Sequence, residues 1–220
     1  MRSESVQWEL FRTEAQKLGV PLDQEALGRF RLYWEELRQW NRTVRLVSKA
    51  DLTSVLWLHF LDSLSVLPLI DPQRPLLDVG SGAGFPGVPL KIAAPELRVD
   101  LMEPRRRKAN FLRHLIRTLG LEDIHVHQLR LEQGGTELGR FPTVVARALA
   151  PPVLWLKWAT GVLAGGGSLL LMLGQRQEVE QLEPALRQLG WEVSEQRQLR
   201  LPVVDRRRSI VVLKRGPCFT

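Results

Sequence analysis

From Pro75 onward, short apolar runs alternate with amphipathic segments, and this rhythm leaves few folds open to the chain. The runs are Leu76–Val79, Val99–Glu103, Ile124–Val126, Thr143–Ala146 and Ser168–Leu173. Helices fit around Pro89–Ala94, Arg106–Leu119, Pro152–Leu163 and Gln177–Leu189. Gly120 and Gly190 stand where a glycine ends a helix. Strands alternating with helices imply βαβ units and a parallel sheet. The last two runs, Glu192–Leu201 and Ser209–Lys214, are separated only by Pro202–Arg208. A parallel pair needs a crossover of roughly a dozen residues or more, so this pair is expected to form an antiparallel hairpin. A dinucleotide-binding sheet would continue with parallel strands instead.

Residues 1–70 read as a helical extension packing on an α/β domain of residues 71–220. Trp8, Phe11, Ala15 and Leu18 recur at helical spacing before Gly19 and Pro21. Asp23 is placed to cap a second helix with Leu27, Phe30, Trp34 and Leu37 on its apolar face. Trp40-Asn41 leads into an extended link over residues 42–47. Ser48 and Asp51 resemble a capping box for a third helix through Val55, His59 and Asp62 to about Leu67. Helical spacing assigns these tryptophans to the core rather than to base stacking.

The chain of 220 residues is 44% hydrophobic, enough for a packed core. No apolar run reaches the roughly 18 residues of a membrane span, and the first residues carry no secretory pattern. Cys218 stands alone near the end, which excludes an internal disulfide or a cysteine metal cage and disfavours a catalytic thiol. A cytoplasmic protein without a metal is expected. The net charge of +7 and pI near 10.3 fit a polyanionic partner or a solvated basic surface, and charge alone leaves both open.

The first run ends in Asp78-Val79-Gly80-Ser81-Gly82-Ala83-Gly84-Phe85-Pro86-Gly87. A strand that breaks into glycines and opens a helix presents free N–H groups to a bound molecule. The dinucleotide fingerprint G-x-G-x-x-G fails at Phe85, and no Gly-Lys-Ser/Thr of a P-loop follows. What remains, Asp78-x-Gly80-x-Gly82, resembles motif I of S-adenosylmethionine methyltransferases. A carboxylate there suits the cofactor's ammonium and repels a pyrophosphate. Glu103 follows Gly80 by 23 residues, placed to accept ribose hydroxyls. Five βα units closed by an antiparallel hairpin give the class I methyltransferase layout, a seven-stranded, mostly parallel Rossmann-like sheet.

Gly80-Ser-Gly-Ala-Gly-Phe-Pro-Gly-Val-Pro-Leu90 closely resembles the glycine loop of the bacterial 16S rRNA guanine-N7 methyltransferases, the glucose-inhibited division protein B family. His59-Phe-Leu-Asp-Ser-Leu64, Lys108 with Phe111-Leu112, Arg130-Leu-Glu132, Arg147-Ala148 and the closing hairpin match further elements in order. The resemblance implies methyl transfer from S-adenosylmethionine to one guanine N7 in the decoding-region loop of 16S rRNA, naked or in the small subunit, by a monomer. It places Gly80 and Phe85 at the cofactor, Leu131 and Glu132 along its adenine, and Arg147 at the cofactor or target base. With Asp78, Gly82 and Glu103 these complete the candidate site. Two departures stand out: Arg45-Leu46-Val47 where the family has Asn-Leu-Thr, and Leu173 before Gly174 where it has Lys. No RNA role is therefore assigned to Leu173.

Guanine N7 carries a lone pair and no proton, so its methylation requires alignment and water exclusion rather than a base. Consistently, Ala146-Arg147-Ala148-Leu149-Ala150-Pro151 lacks the Asn/Asp-Pro-Pro-Tyr of amino-group methyltransferases. Arg147 is expected to hydrogen-bond guanine O6. Arg105–Lys108 and Arg206–Arg208 are candidate phosphate contacts. The alternatives are a small-molecule methyltransferase and a non-catalytic RNA-binding protein of the same fold.

Overall fold

A computed structural model describes residues 4–48, 52–147, 152–174 and 179–216. Leu76-Leu77-Asp78-Val79 forms β1 (Leu76–Val79), with every residue buried. A strand covered on both faces belongs inside a parallel sheet. β1 pairs in parallel with β2 (Val99–Met102) and β4 (Phe141–Arg147). β3 (Ile124–His127) extends the sheet beyond β2, and β5 (Leu163–Leu173) beyond β4. β7 (Arg206–Arg215) runs antiparallel between β5 and the edge strand β6 (Trp191–Leu201). The order β3-β2-β1-β4-β5-β7-β6 is the expected seven-stranded sheet with its closing hairpin. The chain winds outward from β1 to β3, then returns to β4 and winds the other way. The crevice beyond the C-terminal ends of β1 and β4 is where such sheets bind ligands.

Strand alternation sorts the core into two layers. Leu76, Val99, Leu101 and Leu170 meet the helices of one face: α1 (Glu4–Lys17), α2 (Gln24–Trp40), α4 (Gly87–Ala93) and α5 (Arg106–Thr118). Leu77, Val144, Leu169 and Leu171 meet α7 (Pro152–Ala159) and α8 (Glu183–Gln188) on the other. The N-terminal helices thus share a core with the sheet. Phe11, Phe30 and Phe60 interlock edge-on or tilted at 5.0 to 6.2 Å between ring centroids, and Trp8 packs edge-on against Phe11 and Trp34. Asp23 caps α2 as expected, its carboxylate accepting from the Ala26 N–H at 2.7 Å. Asn41 holds the next link by accepting from the Leu46 and Val47 N–H groups. Asp51 of the expected capping box lies outside the described residues.

Four elements differ from expectation. The third helix is π-helical over Leu56–Leu61 before a short α3 (Asp62–Leu64), a widening frequent at functional sites. The helix expected over Gln177–Leu189 is α8 alone, preceded among the described residues by a 3₁₀ turn at Val179–Gln181. Pro184 lacks an N–H and is tolerated only at the start of a helix, so α8 begins there. β5 starts earlier than Ser168, with an irregular register opposite Phe141–Thr143. Gly167 lets the backbones close up, since a Cβ there would lie 2.9 Å from the Pro142 carbonyl. Finally, Arg206–Arg208 belong to β7 rather than to the connection, which is a tight turn at Pro202–Asp205.

Candidate active site

The loop after β1 is pinned to β2. Gly80 and Ser81 donate their N–H groups to the Met102 carbonyl at 2.8 and 3.1 Å. Glu103 accepts from the Gly82 N–H through Oε2 at 2.9 Å and from the Arg105 N–H through Oε1 at 2.8 Å. One carboxylate therefore joins the loops that follow β1 and β2. Gly84 has φ +103°, and a Cβ there would stand 2.6 Å from the Tyr33 hydroxyl and 2.9 Å from Val88. Tyr33 donates to the Ala83 carbonyl at 2.6 Å, so α2 closes directly on the loop. Gly84→Ala is expected to destabilise the protein by about 3 kcal/mol in urea unfolding, from backbone strain plus overpacking. Gly82→Ala is the comparison, because its Cβ meets nothing nearer than 3.7 Å and only the φ of +61° opposes it. Equal losses in the two variants would refute the packing argument.

Two cavities meet at Gly80. The larger, about 490 Å³, is lined by Ser81, Gly82, Phe85 and Lys108 on one side and by His59, Asp62, Arg147, Arg206 and Arg208 on the other. The smaller, about 120 Å³, lies between Met102, Leu131, Glu132, Trp155 and Trp158. Leu131 and Glu132 open the short α6 (Leu131–Gly134), and Glu132 lies 3.6 Å from Arg130.

Phe85 lines the larger cavity. His59 stacks on it at 4.7 Å, Tyr33 stacks at 5.6 Å, and the Arg147 guanidinium lies 5.0 Å from the ring centroid. Arg147, the last residue of β4, donates through one terminal nitrogen to the Leu58 carbonyl, to His59 Nδ1 at 2.9 Å and to Asp62 at 3.5 Å. Arg208 of β7 donates to the other Asp62 oxygen at 3.0 Å. Burial pushes the Asp62 carboxyl up, and the two guanidiniums pull it back.

The chain matches the family model described as GidB, rRNA small subunit methyltransferase G, over residues 26–211. The chain belongs to the GidB family. Ribosomal RNA small subunit methyltransferase G of Acetivibrio thermocellus is 35% identical over 206 residues, covering 91% of this chain and 85% of that protein. The protein of that name from Roseiflexus sp. strain RS-1 is 37% identical over 209 residues, covering 92% and 89%. The fold also matches a Bacillus subtilis tRNA methyltransferase, with a TM-score of 0.59 at 15% identity over 70% of this chain and 65% of that one. An Agrobacterium tumefaciens protein described as a predicted O-methyltransferase gives 0.59 at 21% identity, over 70% and 80%.

As a GidB-family methyltransferase, the enzyme takes its methyl group from S-adenosylmethionine. The site fits that cofactor. The larger cavity pairs glycine backbone with the Lys108 cation, and the smaller is flanked by apolar and indole side chains. Among the described residues the buried Trp155 indole N–H has no acceptor, and Trp155 lines the smaller cavity.

Of the residues singled out from sequence, Gly80, Gly82, Phe85 and Arg147 line the larger cavity, and Gly80, Leu131 and Glu132 the smaller. Glu103 lines neither cavity; it is buried, with its carboxylate on the Gly82 and Arg105 N–H groups. Asp78 also lines neither cavity. It is fully buried, with Oδ2 accepting from the Gly87 N–H at 3.0 Å, and it anchors the start of α4. Burial pushes its carboxyl up to about 7, against the Gly87 and Ser81 hydrogen bonds that lower it. The folded state therefore keeps a proton that the unfolded chain loses near pH 4. This contribution is full below that pH and is lost as pH rises through about 7. Asp78→Asn is expected to remove the decline, gaining about 3 kcal/mol on wild type between pH 5 and pH 8 in parallel urea titrations. Parallel curves would show that Asp78 ionises normally.

Sequence reasoning missed the joint action of Asp62 and Arg208, which lie 146 residues apart. It also passed over Tyr33, Trp155 and Trp158. Tyr33 was legible as part of the apolar stripe of α2; the two tryptophans sit in a helix whose spacing reads equally as core.

Proposed function

We propose that the enzyme methylates N7 of a guanine in 16S rRNA, presented in the larger cavity opposite the Gly80–Gly82 loop. The observation that carries this reading is the hydrogen bond from Arg147 to His59 Nδ1. An arginine only donates, so Nδ1 is the acceptor and the ring proton sits on Nε2. Burial, then the charges of Arg147 and Arg208, push the ring down to about 2. His59 is held neutral, and its buried Nε2–H has no acceptor among the described residues. Asp62 is engaged by two guanidiniums. Nδ1 of His59 and both Asp62 oxygens are thus occupied by arginines, which suits a nucleophile that carries no proton.

When bound, S-adenosylmethionine supplies a sulfonium-activated methyl group. Lys108 takes its carboxylate, and the Gly80–Gly82 backbone takes the rest of its amino-acid part. Glu103 accepts ribose hydroxyls with the lone pairs its two backbone bonds leave. Leu131 and Glu132 flank the adenine. Arg147 directs its remaining N–H donors to guanine O6, leaving N7 facing the methyl group. Phe85 and His59 exclude water from the line of transfer.

Transfer of labelled methyl from S-adenosylmethionine to 16S rRNA or assembled small subunits, followed by borohydride–aniline cleavage at N7-methylguanine, tests the reading. A single cleavage site is expected. Label at another atom would overturn the N7 assignment, and RNA binding without label would make the protein a non-catalytic binder.

A further inference from the structure

We propose that a third cavity, beside the reaction site on the β6–β7 hairpin, binds RNA phosphates flanking the methylated guanine through Arg200 and Arg207. The inference rests on the reading of the larger cavity as the place where RNA reacts. The third cavity measures about 370 Å³, and its lining includes Arg200, Arg207, Gln196, Gln198 and Ser209. It shares Gly174 and Arg208 with the reaction cavity, so the two adjoin along a common wall. Arg206 and Arg208 lie on one face of β7 and Arg207 and Ser209 on the other, so RNA whose base occupies the reaction cavity would reach the third by passing over the strand ends at Gly174.

Arg200 and Arg207 are direct cross-strand partners in the β6–β7 ladder. Like charges opposite each other in a sheet repel, and an anion between them relieves this. Asp205 pairs with Arg200, but both side chains are about two-thirds exposed, and such a pair is weak and exchangeable. Among the described residues the Arg207 guanidinium has no hydrogen-bond or ion-pair partner. Glu180 is the carboxylate in the lining, and it is exposed. Arginine forks flanked by amides and a hydroxyl suit phosphate oxygens without reading bases.

The hairpin basic run is therefore divided by strand geometry. Arg208 is held by Asp62, Arg206 lines the reaction cavity, and Arg207 faces the third cavity with Arg200.

The test measures binding of the full-length protein to 16S rRNA at about 50 and 200 mM salt, the range over which each phosphate contact changes affinity by about threefold. In the double variant Arg200→Gln, Arg207→Gln, the salt slope is expected to fall by about 2. The affinity ratio between the two salt concentrations should then shrink by about tenfold. Arg207→Gln alone should lower the slope by about 1, with a melting temperature no lower than wild type because repulsion is removed. Arg12→Gln, on an exposed pair in α1, is the control and should leave the slope unchanged. An unchanged slope in the double variant, or an equal fall in the control, overturns the proposal. Methyl transfer by the wild-type protein separates this failure from failure of the functional reading: if wild type methylates 16S rRNA and the slope does not move, only the third cavity is lost.

Discussion

Arg147→Ala is expected to lower methyl transfer to 16S rRNA by at least about a hundredfold, the scale of losing one preorganised donor at a reacting group. S-adenosylmethionine affinity should change by far less, because the Gly80–Gly82 loop is held by Met102 and Glu103 rather than by Arg147. The split follows from geometry. One nitrogen of Arg147 is spent on Leu58, His59 and Asp62, which fixes the side chain over Phe85 in the lining of the larger cavity. Arg147→Lys keeps the charge but not the fork, so it should recover little activity. Single-turnover rates and calorimetric cofactor titration separate the two quantities. Full activity in Arg147→Ala would remove the arginine from the mechanism, and an equal collapse of cofactor binding would make it a cofactor residue instead.

Asp62→Ala is expected to give the largest loss of stability, about 3–5 kcal/mol, or about 10 °C in melting temperature. The Asp62 side chain is 2% exposed and is the shared partner of Arg147 and Arg208, themselves 19% and 18% exposed. Without it, two largely buried cations face each other uncompensated. The residue also ties together α3, the end of β4 and the start of β7, so its removal should depress activity in the folded fraction by freeing Arg147. Asp62→Asn keeps the volume and one acceptor and should fall between wild type and alanine. A loss below about 1 kcal/mol in Asp62→Ala would show that the desolvation of the three charges cancels their attraction.

The sheet was legible because its strands are local signals. Leu76–Val79 is a short apolar run bounded by a breaker, and Val99, Ile124 and Ser209 open or sit in similar runs. The hairpin followed from chain length alone, since seven residues cannot cross a sheet. Boundaries slipped where the reason was non-local. β5 begins early because Gly167 fits beneath the Pro142 carbonyl, and α8 begins late because of Pro184. The glycine loop was legible for the same local reason, but the place of Asp78 was not. Its motif position reads as a cofactor contact, whereas its side chain turns back to cap α4.

By itself the sequence determined the α/β layout, the glycine turn at Gly80–Gly84 and the family, because these rest on short-range patterns of apolar, acidic and glycine residues. Only the tertiary structure decided which charges meet. Asp62 finds Arg208 across 146 residues, His59 takes its Nε2–H tautomer by accepting from Arg147, and Arg200 is set against Arg207 by strand register. Charge interactions depend on distance and burial, and sequence separation carries neither.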